Sequence, residues 1–381
     1  MSIFLFLKQI VDILYPYQWL DYMMVALAIV ALVYQLMLVR PSVKGKVTLS
    51  DCCICILLIL FAIAFVRKDG TDYANFVKVL SAFFMYFVGR IYYERIQECE
   101  SALSLSAYIV VYANFIHRIF HYGLDLFTVK NAEGDLYYYD TDMAVAMLIA
   151  LSFIAMYARN NLRKFFTMFV VIPYMVMYSD ADVQKILLFA LFGIMILYVL
   201  EMAGVKRKFS DFMLGAAVVG LLVAVIILIS PVFTGSENNF LVEVLYGGSI
   251  SAQNIYSRYD GWRTVWQSIS ESSLLIKFFG LGLATDISVY SLYLKTLYVL
   301  GLLGLILMFI FISSVIYYVM QVEDRKTYYV TVLLAVMILG TGLLTNSIEA
   351  TQMSWFPMMF AGMVVSSVQA ERRQVGFEEF E

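Results

Sequence analysis

Eleven stretches of this chain approach the roughly 20 consecutive apolar residues that an α-helix needs to cross a hydrocarbon layer. They lie at 20–39, 50–66, 73–93, 101–120, 142–158, 165–179, 185–204, 212–233, 290–320, 328–345 and 352–370. Hydrophobic residues make up 62% of the chain and charged ones 14%, with a mean hydropathy of +0.82. A soluble domain of 381 residues has no use for so much apolar side chain. The expected fold is a single all-α membrane domain, a polytopic bundle of about 11 transmembrane helices. Residues 1–18 are apolar too, but Lys8 and Asp12 interrupt them and Pro16 follows. They read as an interfacial helix or a weak first span, without the basic start and small-residue cleavage site of a removable signal peptide.

Basic residues orient such a bundle, because cytoplasmic connectors collect Lys and Arg. Alternate connectors assigned to the cytoplasm hold Arg40, Lys44, Lys46, Arg95, Arg159, Arg163, Lys164, Lys206, Arg207, Lys208, Arg325, Lys326, Arg372 and Arg373. The opposite side holds Lys8, Arg67, Lys68, Lys130, Lys185, Arg258, Arg263 and Lys277. The tail 371–381 is then cytoplasmic, and with 1–18 not counted as a span the N-terminus is outside. The large segment 235–289, before the last three spans, falls outside as an extracytoplasmic loop. The four cysteines (Cys52, Cys53, Cys55, Cys99) lack the spacing of a zinc site or disulfide framework. A net charge of −3 gives no argument for a nucleic-acid partner.

Most unusual polar residues fall on the outer side: Asp69-Gly-Thr-Asp72, the loop 121–141, the Ser179-to-Lys185 turn and 235–289. No phosphate-cradling GxxxxGK[ST] loop and no dinucleotide fingerprint occurs. Chemistry on that side must use a substrate that arrives already activated.

One run carries a resemblance. Ser257-Arg258 with Trp262 and Trp266, then Phe279-Gly280-Leu281-Gly282, then Tyr290-Ser291-Leu292-Tyr293-Leu294, then Gly301-Leu-Leu-Gly304, is similar to the signature region of the Wzy-type O-antigen polymerase and O-antigen ligase superfamily. A fainter likeness sets Lys185 where the family places an arginine at the mouth of a central helix. The family's histidine falls on Tyr290 and its asparagine on Ser291. The loss of that histidine tilts the expectation from ligase to polymerase.

The resemblance implies a glycosyltransferase of the bacterial cytoplasmic (inner) membrane, acting in lipopolysaccharide or capsule biosynthesis with its site facing the periplasm or cell exterior. Its substrate is an oligosaccharide on polyprenyl diphosphate, and its partners are membrane lipid, a chain-length regulator and a flippase. No cofactor or metal is implied. Breaking the glycosidic bond builds negative charge on the departing diphosphate, which guanidinium groups stabilise. Arg258 is the first candidate for that role and Arg263 the second, with Lys185 as a further charge and Tyr290 at the histidine position. Anchoring to lipid headgroups is the bland reading of both arginines. Asp260 and Asp286 are candidate general bases, although Asp260 and Arg263 also make an ordinary i,i+3 surface pair.

Trp262, Trp266, Tyr293 and Tyr138 are candidate sugar platforms, Tyr138 within the run Asp135–Asp142. An aromatic belt at a helix end explains Tyr138 equally well. His117, Arg118 and His121 share one end of a helix. The two imidazoles lie at i,i+4 and can serve as base or phosphate contact, as structural rings, or with Asp125 as metal ligands. Asp69 and Asp72 read as a catalytic acidic pair or as a turn. Glycines 215, 220, 301 and 304 read as close helix packing. Lys78, Arg90, Arg118 and Lys295 fall within spans, where ionisable groups are functional candidates or snorkel. Ligation onto a lipid A core, transport of lipid-linked sugars, and a non-catalytic scaffold are the other readings.

Overall fold

The computed structural model describes residues 1–13, 18–34, 47–67, 73–122, 140–177, 179, 182–234, 250–282, 289, 291–343 and 345–378. It is 87% helical, and no strand occurs among the described residues. In chain order the helices are α1 (Ser2–Ile13), α2 (Gln18–Tyr34), α3 (Leu49–Arg67), α4 (Tyr73–Ile91), α5 (Tyr93–Gln97), α6 (Glu100–Tyr122), α7 (Asp140–Tyr157), α8 (Asn161–Phe166), α9 (Ile172–Met177), α10 (Asp182–Met202), α11 (Arg207–Thr234), α12 (Ile250–Ser270), α13 (Leu274–Phe279), α14 (Leu292–Val319), α15 (Arg325–Thr341) and α16 (Thr351–Glu378). Helix occupies the described part of every apolar window. Four of these helices, α3, α6, α10 and α14, are long and apolar enough to cross a membrane. By contrast α15 has 17 residues, about 26 Å of helix against a hydrocarbon thickness of about 30 Å.

Two helices form the centre. Every residue from Met143 to Tyr157 on α7 and from Thr351 to Val365 on α16 is buried, as befits helices that are apolar on all sides. Phe153 of α7 meets the rings of Phe356 and Phe360 on α16, with centroids 5.1 and 5.7 Å away. Peripheral helices turn Val30, Ile59, Phe189, Val199 and Phe212 outward, the pattern expected where the surroundings are apolar. Between α8 and α9 a π-helical segment, Thr167–Val171, precedes Pro173. A proline there lacks the N–H and would press on the carbonyl of Phe169, and the widened turn relieves both problems.

The tightest crossing joins α4 to α16. A methyl group on Gly89 would overlap the carbonyl of Met359, and one on Gly362 would overlap the carbonyl of Tyr86. Gly215 and Gly220 meet nothing within 4 Å, so the expectation that they mark close packing is corrected. Beside the crossing, Asp51 pairs with buried Arg90 (Nη2–Oδ2 2.8 Å). Tyr86 donates to Asp51 at 2.8 Å, and Arg90 reaches Ser366 and Gln369. Arg90 is thus tied inside the bundle, not snorkelling.

The connectors rich in Lys and Arg gather at one end. Arg325 pairs with Glu201 at 2.5 Å, Lys326 with Glu100 at 3.3 Å, and Arg207 donates to the Met320 carbonyl at 2.8 Å. Burial, with Lys326 adding repulsion, holds the Lys164 ammonium below its usual range. The far end holds Arg67, which donates to the Gly280 carbonyl at 3.4 Å, and the ion pair of Lys295 with Glu349 at 2.5 Å.

α1 lies inside the bundle along α6. Gln9 donates to the Leu103 carbonyl at 3.3 Å, while Lys8, 1% exposed, pairs with Asp12 and sits 4.5 Å over the Trp355 ring. The two charges that interrupt this apolar stretch neutralise each other one turn apart. Ser2 meets Cys99 at 3.0 Å, which sets the first turn of α1 beside the basic end.

Overpacking a close crossing costs about 1–3 kcal/mol or more. Gly89→Leu should therefore lower the melting temperature in detergent, whereas Gly215→Ala should leave it unchanged or slightly raised. Scanning fluorimetry of both variants checks this. Removing one member of a buried ion pair costs about 3–5 kcal/mol. Asp51→Ala should therefore destabilise far more than the joint change Asp51→Leu with Arg90→Met.

Candidate functional site

The segment expected to be a large water-facing loop contains two helices, Ile250–Ser270 and Leu274–Phe279, joined by a short turn. On α12, Tyr259, Trp262, Val265 and Ile269 are all buried, at spacings that place them on one side. Tyr259 and Trp262 meet edge to face with centroids 5.5 Å apart. α12 packs this stripe toward α11 and α14. Trp262 is 1% exposed and acts as a packing anchor, so it offers no face to a sugar here. Trp266 keeps an accessible edge.

Helical geometry separates the two arginines. A five-residue offset turns Arg263 about 140° from Arg258 and moves it about 7.5 Å along the axis. Arg258, four residues before Trp262, sits at the edge of the packed face and is half-buried. Arg263 shares its side with Trp266 and approaches Asp260 at 3.7 Å, whose side chain is 83% exposed. That exposure weakens Asp260 as a general base, which gains from a desolvated setting.

After α13 the chain reverses into Gly280-Leu281-Gly282, with φ of 75° at Gly280 and 91° at Gly282. This strap lies against α14 where that helix breaks at Gly301 (φ 69°, ψ −167°). The Leu281 N–H donates to the Tyr298 carbonyl at 2.8 Å and the Gly282 N–H to the Val299 carbonyl at 3.3 Å. Both carbonyls lie within the last turn before the break, where intrahelical donors run out. A side chain on Gly280 would strike Val299, and one on Gly301 would strike Phe278. Gly301, expected with Gly304 to mark helix packing in lipid, instead breaks the helix and the strap closes on it, while Gly304 lies against Leu300 of its own helix.

Beyond the break, the N-terminus of α14 is tied to the C-terminus of α15. Leu292 N–H donates to the carbonyls of Gly342 (2.8 Å) and Thr345 (3.2 Å), and the Tyr293 hydroxyl to the Leu339 carbonyl (3.0 Å). Tyr293 is therefore engaged in holding two helices together, with its ring stacked on Phe309. Lys295 pairs with Glu349 from the turn leading into α16. Leu187 of α10 packs on Gly340 of α15, which sets the first turn of α10, with Gln184 and Lys185, beside the same turn. The polar side chains Ser179, Gln184, Ser291, Thr341, Ser347, Thr351 and Gln352 are all buried. This end of the bundle forms a polar mouth in an otherwise apolar protein.

His117 and Arg118 lie on α6, half-buried, with the Arg118 guanidinium 5.7 Å from the Tyr174 ring centre on α9. His121 is on the same helix, but its side chain lies outside the described residues, as do Tyr138, Tyr290, Asp69, Asp72, Asp125 and Asp286. Among the described residues no three His, Cys, Asp or Glu side chains converge. No protein-family model matches this chain, and no curated protein matches it.

The structure thus brings together the two glycine motifs, and joins Lys295 to a partner that sequence reading missed. Glu349, Gln184, Thr341 and Asn346 were not singled out. Glu349 had one usable signal: it is a carboxylate in a short connector between apolar windows, the only charged residue between Lys326 and Glu371. A side chain at a left-handed position pressed on backbone cannot be relieved by rotation. Gly280→Ala and Gly301→Ala should each lower the melting temperature by several degrees, while Gly193→Ala, which meets nothing within 4 Å, should not.

Proposed function

We propose that this chain is a Wzy-type polysaccharide polymerase. On this reading it is a multi-pass protein of about 11 crossings in a bacterial cytoplasmic membrane, with the polar mouth on the periplasmic or exterior face. It transfers a growing glycan from polyprenyl diphosphate onto the next lipid-linked oligosaccharide repeat. The main support is spatial: residues 279–282 and 301–304, which carry the family likeness, close on each other as strap and helix break. They set α12, with Arg258 and Arg263, against the same helix that carries Lys295.

The chemistry follows from that arrangement. The donor arrives with its leaving group attached, so the reaction needs neither nucleotide nor cofactor. As the anomeric C–O bond breaks, the electron pair goes to the diphosphate. A guanidinium half-withdrawn from water stabilises that growing charge more than an exposed one does. Arg258 and Arg263 are both partly buried; Arg258 is the first candidate because it carries the family likeness, and Lys185 can add a point charge from α10 but not a bidentate fork. Membrane lipid, a chain-length regulator and a flippase are the partners this role calls for.

One observation favours a transporter of lipid-linked sugars instead. α14 is a broken helix, and such breaks commonly form transport sites with their free backbone groups. Here the strap already occupies the freed carbonyls of Tyr298 and Val299, which weighs against that role. The ligase reading is weakened at Ser291, which caps α14 beside the Gly342 carbonyl.

The test incubates purified protein with polyprenyl-diphosphate repeat units and resolves the glycans on a gel. Wild type should give a ladder and Arg258→Ala about a hundredfold less product, with a smaller loss for Arg263→Ala. Transbilayer movement of the substrate without any ladder would establish the transporter instead.

A further inference from the structure

A cleft of about 580 Å³ opens between α3 and α14, two helices that are each long and apolar enough to cross a membrane. Its wall runs along α14 from Ile306 to Tyr318 and is closed by Leu49 at the start of α3. The lining positions recur every three or four residues, so they belong to one face of the helix. That face is turned outward, with Ile306 and Tyr317 both exposed. Ser313 and Ser314 stand between Ile310 and Tyr317, and two short side chains flanked by long ones hollow the surface there.

One end of the cleft carries a positive charge. The Arg372 guanidinium of α16 donates to the Tyr317 hydroxyl at 3.4 Å and to Gln321 Oε1, and Gln321 Nε2 donates to the Tyr317 carbonyl at 3.0 Å. These contacts hold an exposed arginine beside the last rings of the cleft. None of the ion pairs among the described residues includes Arg372, whereas Arg325 and Lys326 at the same end are each matched by a carboxylate. Two acidic side chains of this end have partners of their own: Glu371 accepts from Ser367 at 3.1 Å, and Asp324 caps α15. Length then selects the occupant. From Ile306 to Tyr318 the helix rises about 18 Å, and one leaflet of a hydrocarbon core about 30 Å thick is about 15 Å deep. The cleft is as long as one leaflet, with its cation where a lipid phosphate lies. A polyprenyl chain would overrun it, and a free phosphate has nothing to set against the apolar wall.

We propose that this cleft binds an anionic phospholipid from the leaflet at the basic end, one acyl chain lying along α14 against Leu49 and the phosphate meeting Arg372. A zwitterionic lipid brings its own cation to its phosphate, so an unmatched guanidinium favours a headgroup with net negative charge. The bound lipid ties α14 to the ends of α3 and α16. It lies at the end of the bundle opposite the polar mouth and does not rest on the polymerase reading.

The experiment titrates the delipidated full chain in detergent with dioleoyl phosphatidylglycerol or dioleoyl phosphatidylcholine and counts retained lipid by native mass spectrometry. Wild type should hold a single phosphatidylglycerol about fivefold more tightly than phosphatidylcholine. Arg372→Gln should erase that difference and leave the weaker phosphatidylcholine binding as it was. Ser313→Trp fills the cleft and should remove the retained lipid of either kind, while its melting temperature in lipid-free detergent matches that of wild type. Glycerol phosphate, which has the charge without the chain, should not compete. An unchanged preference in Arg372→Gln overturns the headgroup assignment, and lipid still retained by Ser313→Trp overturns the site. Competition by glycerol phosphate reduces the site to one for free phosphate and overturns the acyl-chain assignment. Displacement of phosphatidylglycerol by a lower concentration of polyprenyl phosphate makes the cleft a groove for that lipid and overturns the phospholipid. None of these readouts depends on a glycan ladder, so the polymerase reading stands or falls separately.

Discussion

The helix break at Gly301 is the constraint on which the rest of this end of the molecule depends. A backbone that stops bonding to itself inside an apolar protein must find donors elsewhere, because no solvent is there to supply them. The N–H groups of Leu281 and Gly282 answer the carbonyls of Tyr298 and Val299. Only glycine at 280 and 301 lets the two backbones come that close. Once the strap is fixed, α13 and then α12 have little freedom, and Arg67 reinforces the arrangement from α3 by donating to Gly280. A short motif of glycines thus fixes where the arginine-bearing helix sits.

The fold was legible where one kind of information was enough. Apolar runs locate helices because each must satisfy its backbone internally, and helix fills the described part of each window. Run length did not tell which helices are long enough to cross unaided, since α15 falls short while α14 carries a surplus. Glycine reading failed for a related reason. Gly215 and Gly220 lie five residues apart and meet nothing within 4 Å, whereas Gly89 and Gly362 are isolated in sequence and interlock. Whether a small residue packs depends on what another helix brings to it, and one chain's local pattern does not contain that.

The site shows the same division. Order and spacing from Arg258 to Gly304 picked out the elements that meet in space. The expectation of a water-facing loop missed the period of Tyr259, Trp262, Val265 and Ile269, which is a helix with one buried side. Polar content drew attention to the charged residues of α12 and hid its apolar stripe. Glu349 escaped because a single carboxylate in a connector looks like an ordinary loop residue until its partner is known. Lys295 was noticed as an oddity within a span, and the structure resolves it by supplying that carboxylate.

Charge is distributed in a way that bears on mechanism. At the basic end, ions are paired across connectors: Arg325 with Glu201, Lys326 with Glu100 and Arg90 with Asp51. Such pairs tie helix ends together and present little unmatched charge. At the opposite end buried amides and hydroxyls accompany one ion pair, Lys295 with Glu349, with Lys185 nearby on α10, and Arg258 and Arg263 lie on α12. A glycosyl transfer has two unlike demands, a cation for the leaving diphosphate and a weakly charged, hydroxyl-matching surface for the acceptor. α14, held by the strap, is the element that fixes how far the arginines of α12 stand from the Lys295–Glu349 pair at the turn before α16.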